Sequence, residues 1–202
     1  MTDVGQKAPK PDLNPAYNTI ARNFFIGNYG ASMAIDNDDG SSYYYITENF
    51  EVYGGHKSNF GGHNKLRSGA VIPYSKVYQE GLCCRVNAQN EGDFTDAYFN
   101  NTCIQSAVNL TAYGFAFCDP ANPNNVTNLG VLHDNKVYNP DGKMTVVCGK
   151  PPTEKSPNSV GKLLTEQEFQ KSGADPGTIV GVTPEDDVII GWAKAILEPL
   201  RS

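Results

Sequence analysis

An asparagine that returns just ahead of a short apolar strand constrains this chain more than any other feature. Asn23 introduces Phe24-Phe25-Ile26, Asn49 introduces Phe50-Glu51-Val52, Asn101 introduces Thr102-Cys103-Ile104, and Asn135 introduces Lys136-Val137-Tyr138. An apolar residue stands shortly before each one. Asn23 and Asn49 are about 26 residues apart, roughly one coil of a β-solenoid; the later intervals are longer and irregular, as loops inserted at coil corners would make them. A single coil of short strands cannot bury its inner face, whereas stacked coils share one continuous core. An Asn repeated at the same corner can bond the turns above and below it. The competing reading is an Asn-rich sandwich whose turns recur by accident.

Composition agrees with short strands and many turns. The chain has 202 residues, of which 20 are Asn and 20 Gly, and only 39% are hydrophobic. Asn and Gly tolerate the left-handed backbone that turns need. The net charge of −6, with Lys and Arg scattered, is no footprint for nucleic acid or an anionic membrane. No apolar run approaches the 18 residues of a membrane span. The first seventeen residues contain Pro9, Pro11 and Pro15 and no apolar signal-peptide core, so they read as a leader or linker. The strand pattern begins abruptly at Asn18, which points to a fragment boundary, with coils missing or further chains at that open end.

Residues 18–150 are therefore expected to hold the coils, and residues 151–202 a terminal appendage of a loop and two short helices. Thr165-Glu166-Gln167-Glu168 has the form of a capping box, with Leu164 and Phe169 as the hydrophobic staple across it. Gly173 stops that helix. A second helix is expected to start with Thr183 as N-cap and Pro184 in its first turn. Its apolar positions, Val188, Ile189, Trp192, Ala193, Ile196 and Leu197, keep helical spacing. Such a helix would cover an open sheet end or lie along the solenoid.

Five cysteines, Cys83, Cys84, Cys103, Cys118 and Cys148, leave at least one unpaired. One or two local disulfides are expected, and Cys83 and Cys84, on opposite faces of a strand, would each need a different partner. No zinc spacing is present. Glycosylation sequons start at Asn100, Asn109 and Asn125.

The stretch Ile35-Asp36-Asn37-Asp38-Asp39-Gly40-Ser41-Ser42, followed by Tyr43-Tyr44-Tyr45-Ile46-Thr47-Glu48-Asn49, Gly54-Gly55 and Lys57, resembles a signature of right-handed parallel β-helix proteins of the pectin-lyase-like superfamily. The resemblance covers roughly residues 18–150 and is sharpest between 35 and 64. It implies an all-β solenoid, a right-handed parallel β-helix with a short C-terminal helical appendage. It also implies a secreted, carbohydrate-active protein, glycoside hydrolase-like or lyase-like, whose partner is a polysaccharide or glycan. Hydrolase-like relatives carry a Glu after the Lys on the next coil. Here the sequence runs Lys57-Ser58-Asn59-Phe60-Gly61-Gly62-His63, so the second carboxylate of a hydrolytic pair is missing.

The residues give the chemistry its candidates. On a strand, Ile35 and Asn37 face the core while Asp36 and Asp38 point outward together. Asp36, Asp38 and Asp39 are the candidate catalytic carboxylates, since two close carboxylates push one pKa up and glycoside hydrolysis uses such a pair. The alternative is a structural turn, because Asp-Asp-Gly-Ser-Ser caps turns with side-chain bonds. An EF-hand reading fails, since its first and twelfth ligands would be Ile35 and Ile46; a different calcium site from Asp36, Asp38 and a carbonyl stays open. His56, Lys57, Asn59 and His63 lie one coil on and are candidates for substrate binding. A His could serve there as an acid and Lys57 could neutralise the Asp cluster; the plainer reading is an Asp–Lys57 pair with both histidines in surface turns. Tyr43 and Tyr45 could stack on sugar faces, or some of these rings could turn into the core. The competing functional reading is a non-catalytic glycan-binding or structural module of a wall, sheath or filament.

Overall fold

Strands of three or four residues follow one another from Asn18 to Cys148, and each pairs in parallel with the strand three places along the chain. The computed structural model describes residues 16–27, 33–37, 41–58, 65–75, 82–86, 96–116, 118, 130–149 and 161–198. The first sheet is β1 (Asn18–Ala21), β4 (Tyr44–Thr47), β7 (Lys65–Ser68), β10 (Ala97–Phe99) and β13 (Val131–His133), in that order. The second is β2 (Phe24–Ile26), β5 (Phe50–Val52), β8 (Val71–Pro73), β11 (Thr102–Ile104), β14 (Lys136–Asn139) and β17 (Ile179–Val182). The third is β3 (Ile35–Asn37), β6 (His56–Ser58), β9 (Cys84–Val86), β12 (Tyr113–Phe115), β15 (Thr145–Cys148) and β16 (Lys162–Thr165). The chain thus visits the three sheets in turn, circuit after circuit, giving a mostly β, solenoid-like molecule.

The corner between the first and second sheets explains the recurrent Asn. It is two residues long in every circuit, and its first residue is left-handed: Arg22 (φ 56°), Glu48 (φ 53°), Gly69 (φ 66°), Asn100 (φ 53°) and Asp134 (φ 54°). The second is Asn23, Asn49, Ala70, Asn101 or Asn135. The Asn23 amide N–H donates to Asn49 Oδ1 at 2.9 Å, that of Ala70 to Asn101 Oδ1 at 3.0 Å, and that of Asn101 to Asn135 Oδ1 at 3.0 Å. The side-chain NH2 of each of the three acceptors reaches the preceding circuit, at Ile20 O, Arg67 O and Tyr98 O. The long interval from Asn49 to Asn101 contains a circuit whose corner carries Ala70 in place of Asn. At the far end Thr178 takes over, its Oγ1 accepting from the Asn135 N–H at 2.8 Å.

Glycine is required where the second sheet turns into the third in the second circuit. A Cβ on Gly54 would lie 2.6 Å from Ala34 Cβ, and one on Gly55 would lie 2.6 Å from Leu82 O. That pair sets the tight approach that delivers His56 and Lys57 to β6.

Inward-facing side chains stack in columns. One column of the third sheet reads Ile35, His56, Cys84, Tyr113, Val146 and Leu164. The first sheet supplies Ile20, Ile46, Arg67, Tyr98 and Leu132. The core is therefore apolar in the later circuits and mixed in the second and third. Two disulfides, Cys83–Cys103 and Cys118–Cys148, tie the third circuit to the fourth and the fourth to the fifth. Cys84 is free and buried, so the adjacent cysteines have one disulfide partner between them; burial pushes the Cys84 thiol up to about 12.

The C-terminal segment joins the sheets instead of only lying on them. β16 pairs antiparallel with β15, and β17 pairs parallel with β14, where the residue pattern predicts only a loop and two helices. α1 (Glu166–Lys171) has the capping box at Thr165 and Glu168, and its Phe169 is fully buried, stacked on Phe115 at 5.6 Å. α2 (Asp186–Leu197) has Glu185 at its N-cap position, with no side-chain capping bond, two residues later than the expected Thr183. The reason is local: the Thr183 N–H donates to Asn139 O at 3.1 Å, so Thr183 extends the β17 ladder and the helix begins only beyond Pro184. Ile189 and Ala193 of α2 pack on Phe50, Val71 and Ile104, on the outer face of the second sheet. No helix among the described residues is long and apolar enough to cross a membrane.

Candidate functional site

The outer face of the third sheet carries the sharpest sequence feature. Ile35 and Asn37 are buried and Asp36, between them, is exposed, as strand alternation requires. Register places Lys57 of β6 beside Asp36, and Arg85 of β9 beside Lys57. Lys57 Nζ donates to Asp36 Oδ2 at 2.8 Å. Neighbouring parallel strands lie about 4.8 Å apart, so one carboxylate and two cations form a short column up this face. Gly114 and Val147 continue it without charge.

His56 does not join that column. It stands in register with Ile35, not Asp36, and a one-residue offset on a strand sends a side chain to the opposite face. Its ring is fully buried, with Nε2 2.5 Å from Glu51 Oε1, and it is neither a surface-turn residue nor a neighbour of the Asp36 carboxylate. Asp38, Asp39, Asn59 and His63 lie outside the described residues, as does Asn125. The calcium arrangement that included Asp38 falls there too. Among the described residues no group of three or more His, Cys, Asp or Glu could hold a metal ion.

The aromatic candidates lie around the next corner, on the first sheet. Tyr45 of β4 is on its outer face and 38% exposed. Tyr43 is half-buried, left-handed at φ 59°, and meets the edge of Tyr17 with ring centroids 5.8 Å apart. β4 of the first sheet follows β3 of the third directly in the order of strands, so the charged column and these rings stand on successive faces. Asn100 and Asn109 are both exposed.

Alternation alone misses a second set of charged groups, because it assigns polar side chains to solvent. Glu51, His56 and Arg67 all point inward in the second and third circuits and are buried. Arg67 Nη2 donates to Asn37 Oδ1 at 2.7 Å and to Lys57 O at 3.1 Å, which braces the strand carrying Lys57 from within. Lys65 is buried at the same corner as the tyrosines, donating to Ser41 O at 3.2 Å, with Asp96 Oδ2 at 3.6 Å. Burial lowers its ammonium pKa to about 8. The signal in sequence is register: residues one circuit apart, such as Ile35 and His56, share a face.

Comparison with protein-family models, with curated proteins and with solved structures returns no match.

Proposed function

We propose that this chain is a right-handed parallel β-helix of the pectin-lyase-like kind that is secreted and engages an acidic polysaccharide on the outer face of its third sheet. The handedness follows the strong rule for crossovers between parallel strands. The two disulfides fit an oxidising compartment. The observation that carries the reading is the Asp36–Lys57–Arg85 column. In a chain of net charge −6, two cations held one rung apart on this face, Arg85 half-buried and Lys57 buried against Asp36, form a local complement to a sugar carboxylate. Tyr43 and Tyr45, across the corner, offer ring faces to sugar C–H groups.

Within that reading the chemistry is lyase-like. A hydrolytic pair needs two carboxylates about 5 to 9 Å apart, and the described part of this column has one. In such an elimination a base takes the proton beside the uronate carboxyl and the glycosidic oxygen leaves; Lys57 and Arg85 would neutralise the carboxyl, and Asp36, the one carboxylate in the described column, would take the proton. The alternative, a non-catalytic glycan-binding or structural module, is favoured by the closed Asp36–Lys57 pair, in which Lys57 is buried.

The test is affinity electrophoresis in gels containing polygalacturonate, alginate, xylan or galactan, with an ultraviolet assay for unsaturated uronate product. Retardation by the acidic polymers alone, lost in Arg85→Ala and Lys57→Ala, is expected. Product formation selects the lyase, and retardation without product selects the module. Absence of retardation in every gel, or equal retardation of wild type and both variants, removes the assignment.

A further inference from the structure

At the C-terminal end of the first sheet a turn of the chain stands where a further strand would. Among the described residues no strand lies beyond β13, and the Asp134 N–H donates to Pro176 O at 2.9 Å. Strand and turn leave between them a cavity of about 330 Å3, bounded by Gly130–His133 on one side and Gly173–Pro176 on the other. That is room for a small molecule.

His133 bounds this cavity, and its ring is held twice. It is stacked on Phe99, with centroids 5.0 Å apart and planes 9° apart. Its Nδ1 lies 2.7 Å from Asp134 Oδ2. A carboxylate only accepts, so Nδ1 carries the proton and Nε2 keeps its lone pair. Asp134 is fixed in turn. It is left-handed at φ 54°, its N–H is taken by Pro176 O, and its Oδ1 fits against Gly177, where a Cβ would come within 2.1 Å of it. The His133 side chain is 36% exposed, so a substrate can reach it.

A backbone donor meets the same cavity. The Val131 N–H donates to Asp96 O at 2.8 Å, and His133 O accepts from the Asn100 N–H at 3.3 Å, so both residues turn their backbone groups toward β10. Leu132, between them, turns its N–H the other way, toward the cavity.

We propose that this is a second site, separate from the charged column of the third sheet, in which His133 is the general base that activates water against a small neutral ester. An imidazole oriented by a carboxylate is the base arrangement of acyl transfer. A free backbone N–H suits the oxyanion that develops on an attacked carbonyl. No Lys or Arg is among the described residues bounding the cavity, and Asp134 stands beside it, so an anionic substrate meets no counter-charge. In the reaction Nε2 takes one proton from water as the water oxygen bonds to the acyl carbon, and the carbonyl oxygen, now negative, accepts from the Leu132 N–H. The bond from the acyl carbon to the alcohol oxygen then breaks. The imidazolium returns its proton to that oxygen, and a carboxylic acid and an alcohol leave.

The experiment follows nitrophenolate release by the full chain from para-nitrophenyl acetate, with para-nitrophenyl octanoate as the probe of cavity size. Saturable turnover of the acetate is expected. His133→Gln should lose about 100-fold or more in kcat/KM. Asp134→Asn, which tolerates the left-handed backbone but no longer selects the tautomer, should lose about tenfold or more. The octanoate should react about tenfold more slowly than the acetate. In the unmutated chain, carbethoxylation mapped to His133 by mass spectrometry should remove turnover in proportion, a reading that needs no variant to fold. Turnover that survives complete modification of His133, or equal rates in wild type and His133→Gln, overturns the base. An unchanged rate in Asp134→Asn overturns the dyad, and equal rates on the two esters overturn the cavity as the place of reaction.

Discussion

Asn101 shows how one side chain holds two circuits. Its Oδ1 accepts the Ala70 N–H and its Nδ2 donates to Arg67 O, all within buried surroundings. Asn101→Ala leaves both backbone groups unmatched and is expected to cost about 1 to 3 kcal/mol in urea unfolding. A loss below about 0.5 kcal/mol would mean the ladder contributes little. Lys65 makes a prediction about pH. Its folded pKa of about 8 lies below the ordinary 10.5, so the unfolded chain holds the extra proton between those values and stability from this group rises with pH through that window. Below pH 8 the charged, buried ammonium costs on the order of 3 kcal/mol. Cys84 acts oppositely: with its thiol raised from 9.0 to about 12, stability is lost as pH climbs from 9 toward 12. Melting temperatures between pH 7.5 and 9 should therefore rise in the wild type and flatten in Lys65→Met; parallel curves would remove Lys65 as the source. The Asn corners and the outward turn of Asp36 were legible in sequence, because each depends on a residue type at a fixed backbone position. The inward Glu51–His56 pair was not, since its position is defined by which residue of the neighbouring strand it faces. Nor was the third circuit, whose Ala70 breaks the visible repeat.

Among the elements, α1 and β16 close the far end of the core. Leu164 and Phe169 are buried there, Phe169 lying between Phe115 and Tyr113. Phe169→Ala should cost about 3 to 5 kcal/mol, whereas Thr165→Ala, which removes one cap from an exposed turn, should cost about 1 kcal/mol. Thermal melts of the two variants separate end closure from capping, and equal losses would show that the aromatic stack is not what seals the end. The capping box could be read because it is a local pattern. The strands beside it could not: β16 and β17 exist through β15 and β14, far away in sequence. The same pairing delayed the start of α2, since Thr183 is held by Asn139 of β14 before any helix can form.

Over the whole molecule, cross-linking is uneven. Both disulfides join circuits three to five, and among the described residues none joins the first two. A native disulfide commonly contributes about 2 to 4 kcal/mol. Amides of β1, β2 and β4 should accordingly exchange with lower opening free energies than those of β11, β12 and β14, and mild reduction should narrow the gap. Uniform protection before reduction would contradict this. The two-residue corners carry a longer consequence. Because each presents the same left-handed residue followed by a strand start, the chain can be cut and rejoined there. Excising residues 49–69 links Glu48 directly to Ala70 and restores an intact turn from ends that already have the right geometry. Length is thus a modular quantity for this protein: whole turns can be added or removed as blocks, and a shortened chain should fold with its remaining ladder in register.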